Sequence, residues 1–191
     1  MTTVVLIKAG PTPWDAEHRI SGNLTLPLTE DARAKLLVLL DSLPPIDAIY
    51  CCKSNEACDQ VAKMIATLRK LKPRDDADLD AWCLGLWQGL RMDDLRQRYR
   101  SALEQWEESP QLVVPPEGEA FTEAIDRLKN AVRKIVRRNR GRTVALIARP
   151  SAMQILHGVL CRESPEQIAR RLQKDVPMET ITLSDEDLKA L

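Results

Sequence analysis

The stretch Val4-Val5-Leu6-Ile7-Lys8-Ala9-Gly10 decides the fold. An apolar run that ends abruptly in a polar turn reads as a buried parallel strand, delivering residues to a site at its carboxyl end. After the turn come Thr12-x-Trp14-Asp15, then Arg19-x-x-Gly22, then Pro27-Leu28-Thr29. Thr29 suits a helix N-cap, with Glu30 and Asp31 in the first turn where the helix dipole favours acids. Ala32, Leu36, Leu37, Leu40 and Leu43 then recur at helical spacing until Pro44-Pro45 stops the helix.

Working outward, Ile46 to Cys51 reads as a second strand. Ser54 is expected to cap a helix whose inner face carries Ala57, Val61, Met64, Ile65 and Leu68. A short strand is expected near Arg74–Ala77. Residues 79–118 are less periodic; they hold Trp82, Trp87 and Trp106, with short helices expected around Met92–Arg98 and Ser101–Glu107. Past the break at Pro115-Pro116-Glu117-Gly118, a long helix turns Phe121, Ala124, Ile125, Leu128, Val132, Ile135 and Val136 inward, and Gly141 ends it. Thr143 to Ala148 has the continuous apolarity of a central parallel strand. Pro150 suits the first position of the next helix, and Glu179 to Leu183 alternates like a late or edge strand. Strands alternating with helices predict an α/β fold: a three-layer α/β/α sandwich with a mostly parallel central sheet, one domain over residues 1–191.

Composition narrows the function classes. The chain has 191 residues, 44% hydrophobic and 29% charged, enough for a real core. Lys+Arg and Asp+Glu both number 28, so net charge gives no reason to expect a nucleic-acid partner. Arg133, Lys134, Arg137, Arg138, Arg140 and Arg142 read as a solvated helix end whose cations complement the dipole. No apolar run is long enough to span a bilayer, and the first residues lack the pattern of a signal peptide. The five cysteines, Cys51, Cys52, Cys58, Cys83 and Cys161, lack paired metal-ligand spacing. Their odd number fits reduced thiols, so a cytoplasmic protein is expected. No P-loop, dinucleotide fingerprint or H-E-x-x-H occurs, and no cofactor or metal is expected.

The opening frame resembles that of the histidine phosphatase (phosphoglycerate mutase-like) superfamily, L-x-R-H-G-x-T-x-W-N followed by R-x-x-G-x-x-D-x-P-L-T. The resemblance continues in order through Leu79-x-Ala81-x-x-x-Gly85-x-Trp87-Gln88-Gly89, Pro116-Glu117-Gly118-Glu119-Ala120-Phe121 and Val144-Ala145-Leu146-Ile147-Ala148-Arg149-Pro150. It implies a site in which a histidine attacks phosphorus, an acid protonates the leaving oxygen, and cations hold the phosphate oxygens. Carried over position by position, the nucleophile falls at Ala9, which has no heteroatom, and the arginine before it at Lys8. The asparagine falls at Asp15, which would repel phosphate, and the second-helix arginine at Glu56. The general acid falls at Ala81 and the second histidine at Arg149; Arg19 alone is kept. The resemblance thus implies a degenerate phosphate pocket, formed by Lys8, Ala9, Asp15, Arg19, Glu56, Ala81 and Arg149, with no catalytic residue left.

Substitutes for the nucleophile are poor. Neither Cys51 nor Cys52 begins a C-x5-R loop, so both read as packed thiols. His18 reads as a solvent-facing loop residue, and His157, in an apolar helix, as structural. Three functions stay open: a pseudoenzyme acting as a binding or regulatory module for an unknown protein or small molecule, a residual enzyme using another nucleophile or water, and a basic-surface binder. Because unpaired charges in a cleft are costly, Glu56 is expected to pair with Arg149 or Lys8 and so occupy the phosphate's place.

Overall fold

The computed structural model describes residues 1–191. Five strands form one sheet: β1 (Thr2–Lys8), β2 (Ala48–Cys51), β3 (Pro73–Asp75), β4 (Thr143–Ala148) and β5 (Met178–Leu183), in the order β3-β2-β4-β1-β5. The first four run parallel; β5 pairs antiparallel with β1 at the edge. The three strands in the middle lie β2 against β4 against β1. In β4, Val144 to Ala148 are all buried. That is why this strand is apolar throughout: each large aliphatic side chain withdrawn from water contributes about 1.5–3 kcal/mol.

Helices cover both faces. On one, α2 (Glu30–Asp41) and α3 (Glu56–Arg69) enclose a core that includes Val5, Ile7, Leu36, Leu40, Ile49, Val61 and Ile65. On the other, α6 (Phe121–Arg138) and α7 (Pro150–Leu160) join a larger core with Leu6, Tyr50, Leu128, Leu146 and Leu156. Residues 79–118 add Trp82, Trp87, Leu95 and Leu103 to this second core, through the short helices α4 (Met92–Arg98) and α5 (Arg100–Glu108). Neighbouring side chains of one strand thus feed different cores, as the period of two requires.

Four expectations change in detail. Asn55, not Ser54, caps α3: its side chain accepts from Cys58 N. Leu37 on α2 and Leu68 on α3 are exposed, lying at the margins of their helical stripes. The strand expected near Arg74–Ala77 is β3, which begins earlier, at Pro73, and stops at Asp75. Three short helices had no strong apolar period to announce them: α1 (Pro13–Ala16), α8 (Pro165–Arg171) and α9 (Asp185–Ala190). No helix is long and apolar enough to cross a membrane.

Candidate active site

The carboxyl ends of β1 and β4 meet, with Ala9 N donating to Ala148 O at 2.8 Å. This places Ala9 and Arg149 next to each other at the head of the sheet. The turn that follows is tight because of Gly10: a Cβ there would stand 3.0 Å from Ala32 Cβ and 3.2 Å from Leu36 Cδ1. The close approach of α2 to this turn needs a residue without a side chain.

Arg149 precedes the first turn of α7, where the helix dipole disfavours a cation. It is nevertheless buried, and its guanidinium is held on three sides. Nη1 donates to Gly10 O at 2.9 Å. Nη2 donates to Asp15 Oδ2 at 3.1 Å, Asp15 Oδ1 at 3.3 Å and Ser21 Oγ at 3.2 Å. Asp15 is fixed in turn by its own short helix, because Thr12 N and Thr12 Oγ1 donate to its Oδ2 at 2.6 and 2.7 Å. Burial pushes the Asp15 carboxyl up, but the Arg149 charge and the Thr12 hydrogen bonds outweigh it and hold the group below its ordinary 3.8. The pair is therefore ionised and mutually neutralising.

The other two cations at the site are also occupied. Lys8 pairs with Asp175, from the segment between α8 and β5. Arg19 Nε donates to Glu17 Oε2 at 2.6 Å and Nη1 to Gly89 O at 2.7 Å, where residues 18–20 run beside 89–92. These three pairs differ in weight. Asp175 is almost fully exposed and Glu17 is half exposed, so solvent screens both pairs and they yield easily. The Arg149–Asp15 pair is the shielded one, and it decides the charge of the floor.

The ion pair expected from Glu56 does not form. Glu56 is exposed, its Oε1 accepts from Gln60 Nε2 at 3.1 Å, and its backbone N–H donates to Thr25 Oγ1 at 2.9 Å. The first turn of α3 points this acid to solvent, and a nearer acid takes Arg149. Asp15, read from the sequence only as repelling phosphate, is that partner. Its signal was available: Thr12-x-x-Asp15 has capping-box spacing, which turns the carboxylate back towards the turn. Asp175 carried no comparable signal, since it meets Lys8 only through the folding of distant segments.

Ala81 is buried one residue past Asp80, whose Oδ1 accepts from Ala81 N at 2.8 Å. Burial raises the Asp80 carboxyl above its ordinary value, against the pull of that hydrogen bond and of Arg127. Arg127 pins this segment: it donates to the carbonyls of Asp78, Asp80 and Ala81 and makes a two-pronged pair with Glu119. Of the thiols, Cys51, Cys52 and Cys58 are buried, and burial pushes Cys51 up to about 12. A thiol with so high a pKa is not a thiolate nucleophile near neutrality. His18 is exposed, and His157 lies on α7, 3.6 Å from Glu179.

Above Arg149 and Asp15 a cleft of about 320 Å³ opens between residues 15–22, the 82–84 segment, α5 and the start of α7. Arg19 and Ser21 line it from one side, Trp82 and Trp106 from another.

Comparison with known proteins places this fold in a family. The sequence profile of the Histidine phosphatase superfamily (branch 1) matches residues 4–189, so the chain belongs to this family. It is 23% identical over 162 residues to Phosphoserine phosphatase 1 of Hydrogenobacter thermophilus, covering 84% of this chain and 76% of that protein. Among solved structures, Bacillus stearothermophilus YhfR superposes with a TM-score of 0.86 at 26% identity, over 97% of this chain and 93% of that one. A mycobacterial glucosyl-3-phosphoglycerate phosphatase complexed with VO3 superposes with a TM-score of 0.84 at 19% identity, over 97% and 93%. The last shows likeness of fold alone.

Proposed function

We propose that this chain is a histidine phosphatase-family protein that has lost phosphoryl-transfer chemistry and serves as a binding or regulatory module. The observation that carries the reading is the Arg149–Asp15 pair beside Ala9. In-line transfer needs a nucleophilic lone pair at the head of β1, and Ala9 supplies none. It also needs a cation free to take up charge from the equatorial oxygens, and the buried one already holds a carboxylate. A free cation here would attract a phosphate by about 4 kcal/mol at 4 Å for an effective dielectric near 20, and the Asp15 charge beside Arg149 cancels most of that attraction. The missing proton donor at Ala81 and the outward turn of Glu56 support the same reading. So do the raised thiols, which speak against a cysteine standing in.

The test is turnover by the purified chain on p-nitrophenyl phosphate and 3-phosphoglycerate. Neither should be hydrolysed above the blank, and Ala9→His alone should not restore activity, because Asp15 still occupies Arg149. Steady hydrolysis by the unaltered chain, abolished by Arg149→Ala, would overturn the proposal.

A further inference from the structure

The cleft continues beyond the Arg149–Asp15 pair, and its chemistry changes on the way out. Trp106 and Leu172 make an apolar wall, backed by the buried Trp82 and Leu84, while Ser21 and Ser151 bring hydroxyls. A space of about 320 Å³ is at the small end of the range for small-molecule sites, about 300–1,000 Å³.

The unused hydrogen-bonding capacity defines what fits. Asp15 Oδ2 is saturated by Thr12 and Arg149, but Oδ1 accepts only from Arg149, at 3.3 Å, and the side chain is 35% exposed. Ser21 Oγ accepts from Arg149 Nη2, and Ser151 Oγ accepts from Trp82 N at 3.4 Å. Both hydroxyls act there as acceptors, so each keeps a proton to donate. The floor thus offers one carboxylate acceptor and two hydroxyl donors without net charge. An anion is opposed by Asp15 and a cation by Arg149, while Arg19 is paired with Glu17. A purely apolar ligand would leave these polar groups unpaired, at a cost for each. What remains is an uncharged molecule with a flat apolar face for the aromatic wall and a polar edge that both donates and accepts.

We propose that this cleft binds an uncharged nucleoside-type ligand, a planar heteroaromatic ring bearing hydroxyl groups, and discriminates against its phosphorylated form. The proposal rests on the reading that Arg149 is neutralised by Asp15. It adds the ligand class and reverses the preference expected of a phosphate pocket.

The test is titration of the full chain with adenosine, guanosine and uridine, and separately with their 5′-monophosphates, followed by tryptophan fluorescence and calorimetry. At least one nucleoside should saturate the protein, with its monophosphate binding about tenfold more weakly. Ser151→Leu and Gln173→Trp, at two residues that line the cleft from different segments, should each weaken that nucleoside by about tenfold while far-UV spectra stay unchanged and, for Gln173→Trp, melting does too. Absence of saturation by every nucleoside up to about 1 mM overturns the proposal. A monophosphate that binds as tightly as its nucleoside overturns it as well. Release of inorganic phosphate from any monophosphate would instead sink the loss of phosphatase chemistry on which the proposal stands.

Discussion

Arg149 and Arg171 are the two charged side chains that the fold buries, 3% and 7% exposed, and they are neutralised in different ways. Arg171, at the end of α8, lies between two carboxylates: Nη1 reaches Glu163 Oε1 at 3.5 Å, and Nη2 reaches Glu179 at 3.0 and 3.3 Å. Both acids are largely covered, and the cluster ties α8 to β5 behind the sheet. Arg149 has one carboxylate, from a residue that is itself open to the cleft, and completes its shell with a carbonyl and a hydroxyl. The first arrangement clamps elements together. The second keeps a buried cation one substitution away from an anion site. A buried ion pair costs desolvation that its attraction only partly returns, so the way each cation is shielded decides what its removal does.

The largest expected effect separates the two arginines by stability. Arg171→Met should destabilise the fold by about 3 kcal/mol or more, because it strands two covered carboxylates. Arg149→Met should cost only about 1 kcal/mol, since Asp15 regains water through the cleft. Urea denaturation of both variants checks this, and equal losses would break the comparison.

A smaller effect should appear in ligand binding. Asp15→Asn keeps the shape of the turn but releases the Arg149 charge, so inorganic phosphate should bind about tenfold more tightly than to the unaltered chain. Glu179→Gln should leave phosphate affinity unchanged, because Arg171 has no opening to the cleft. Calorimetric titration with phosphate reads both.

The acid limb of stability sharpens the comparison further. Asp15 is held below 3.8 in the fold, so its contribution is complete above that pH and is lost as pH falls through the lower folded value. In Asp15→Asn the part of the acid-induced loss that belongs to this carboxyl should disappear, as thermal melts between pH 5 and the acid limb would show.

The smallest effect belongs to the Arg171 corner. Burial lowers His157 below its ordinary 6.5, with Arg171 and Lys174 adding to the shift and Glu179 and Glu163 opposing it. The unfolded chain then binds this proton first. Stability should therefore fall as pH drops below 6.5, and stop falling once the folded histidine is protonated too. His157→Gln should flatten that shallow slope in melts between pH 5 and 7.5.

Much of the fold was legible because burial leaves a local imprint. Val4–Ile7 and Val144–Ala148 are apolar because strands covered on both faces have no polar side to show. The long helix carrying Phe121, Leu128, Val132 and Ile135 announced itself by its period, and Thr29 by its position before two acids. The short helices α1, α8 and α9 were less legible, since a turn or two cannot display a period. At the candidate site, Ala9 and Ala81, where the resemblance puts the nucleophile and the acid, were visible as residues without side-chain heteroatoms. The fate of the remaining charges was not: Glu56 was expected beside Arg149 and stands in solvent instead.

By itself, the chain's order of residues determined the layers, the central strands, the family's frame and the absence of a nucleophile at position 9. These follow from side-chain chemistry and short-range spacing, which a linear string retains. Tertiary structure alone decided which acids meet Arg149 and Lys8. Asp15 and Arg149 are 134 residues apart, and Lys8 and Asp175 are 167 apart. Ion pairing falls off over a few ångströms, and separation along the chain carries no information about distance until the sheet has brought β1 and β4 together.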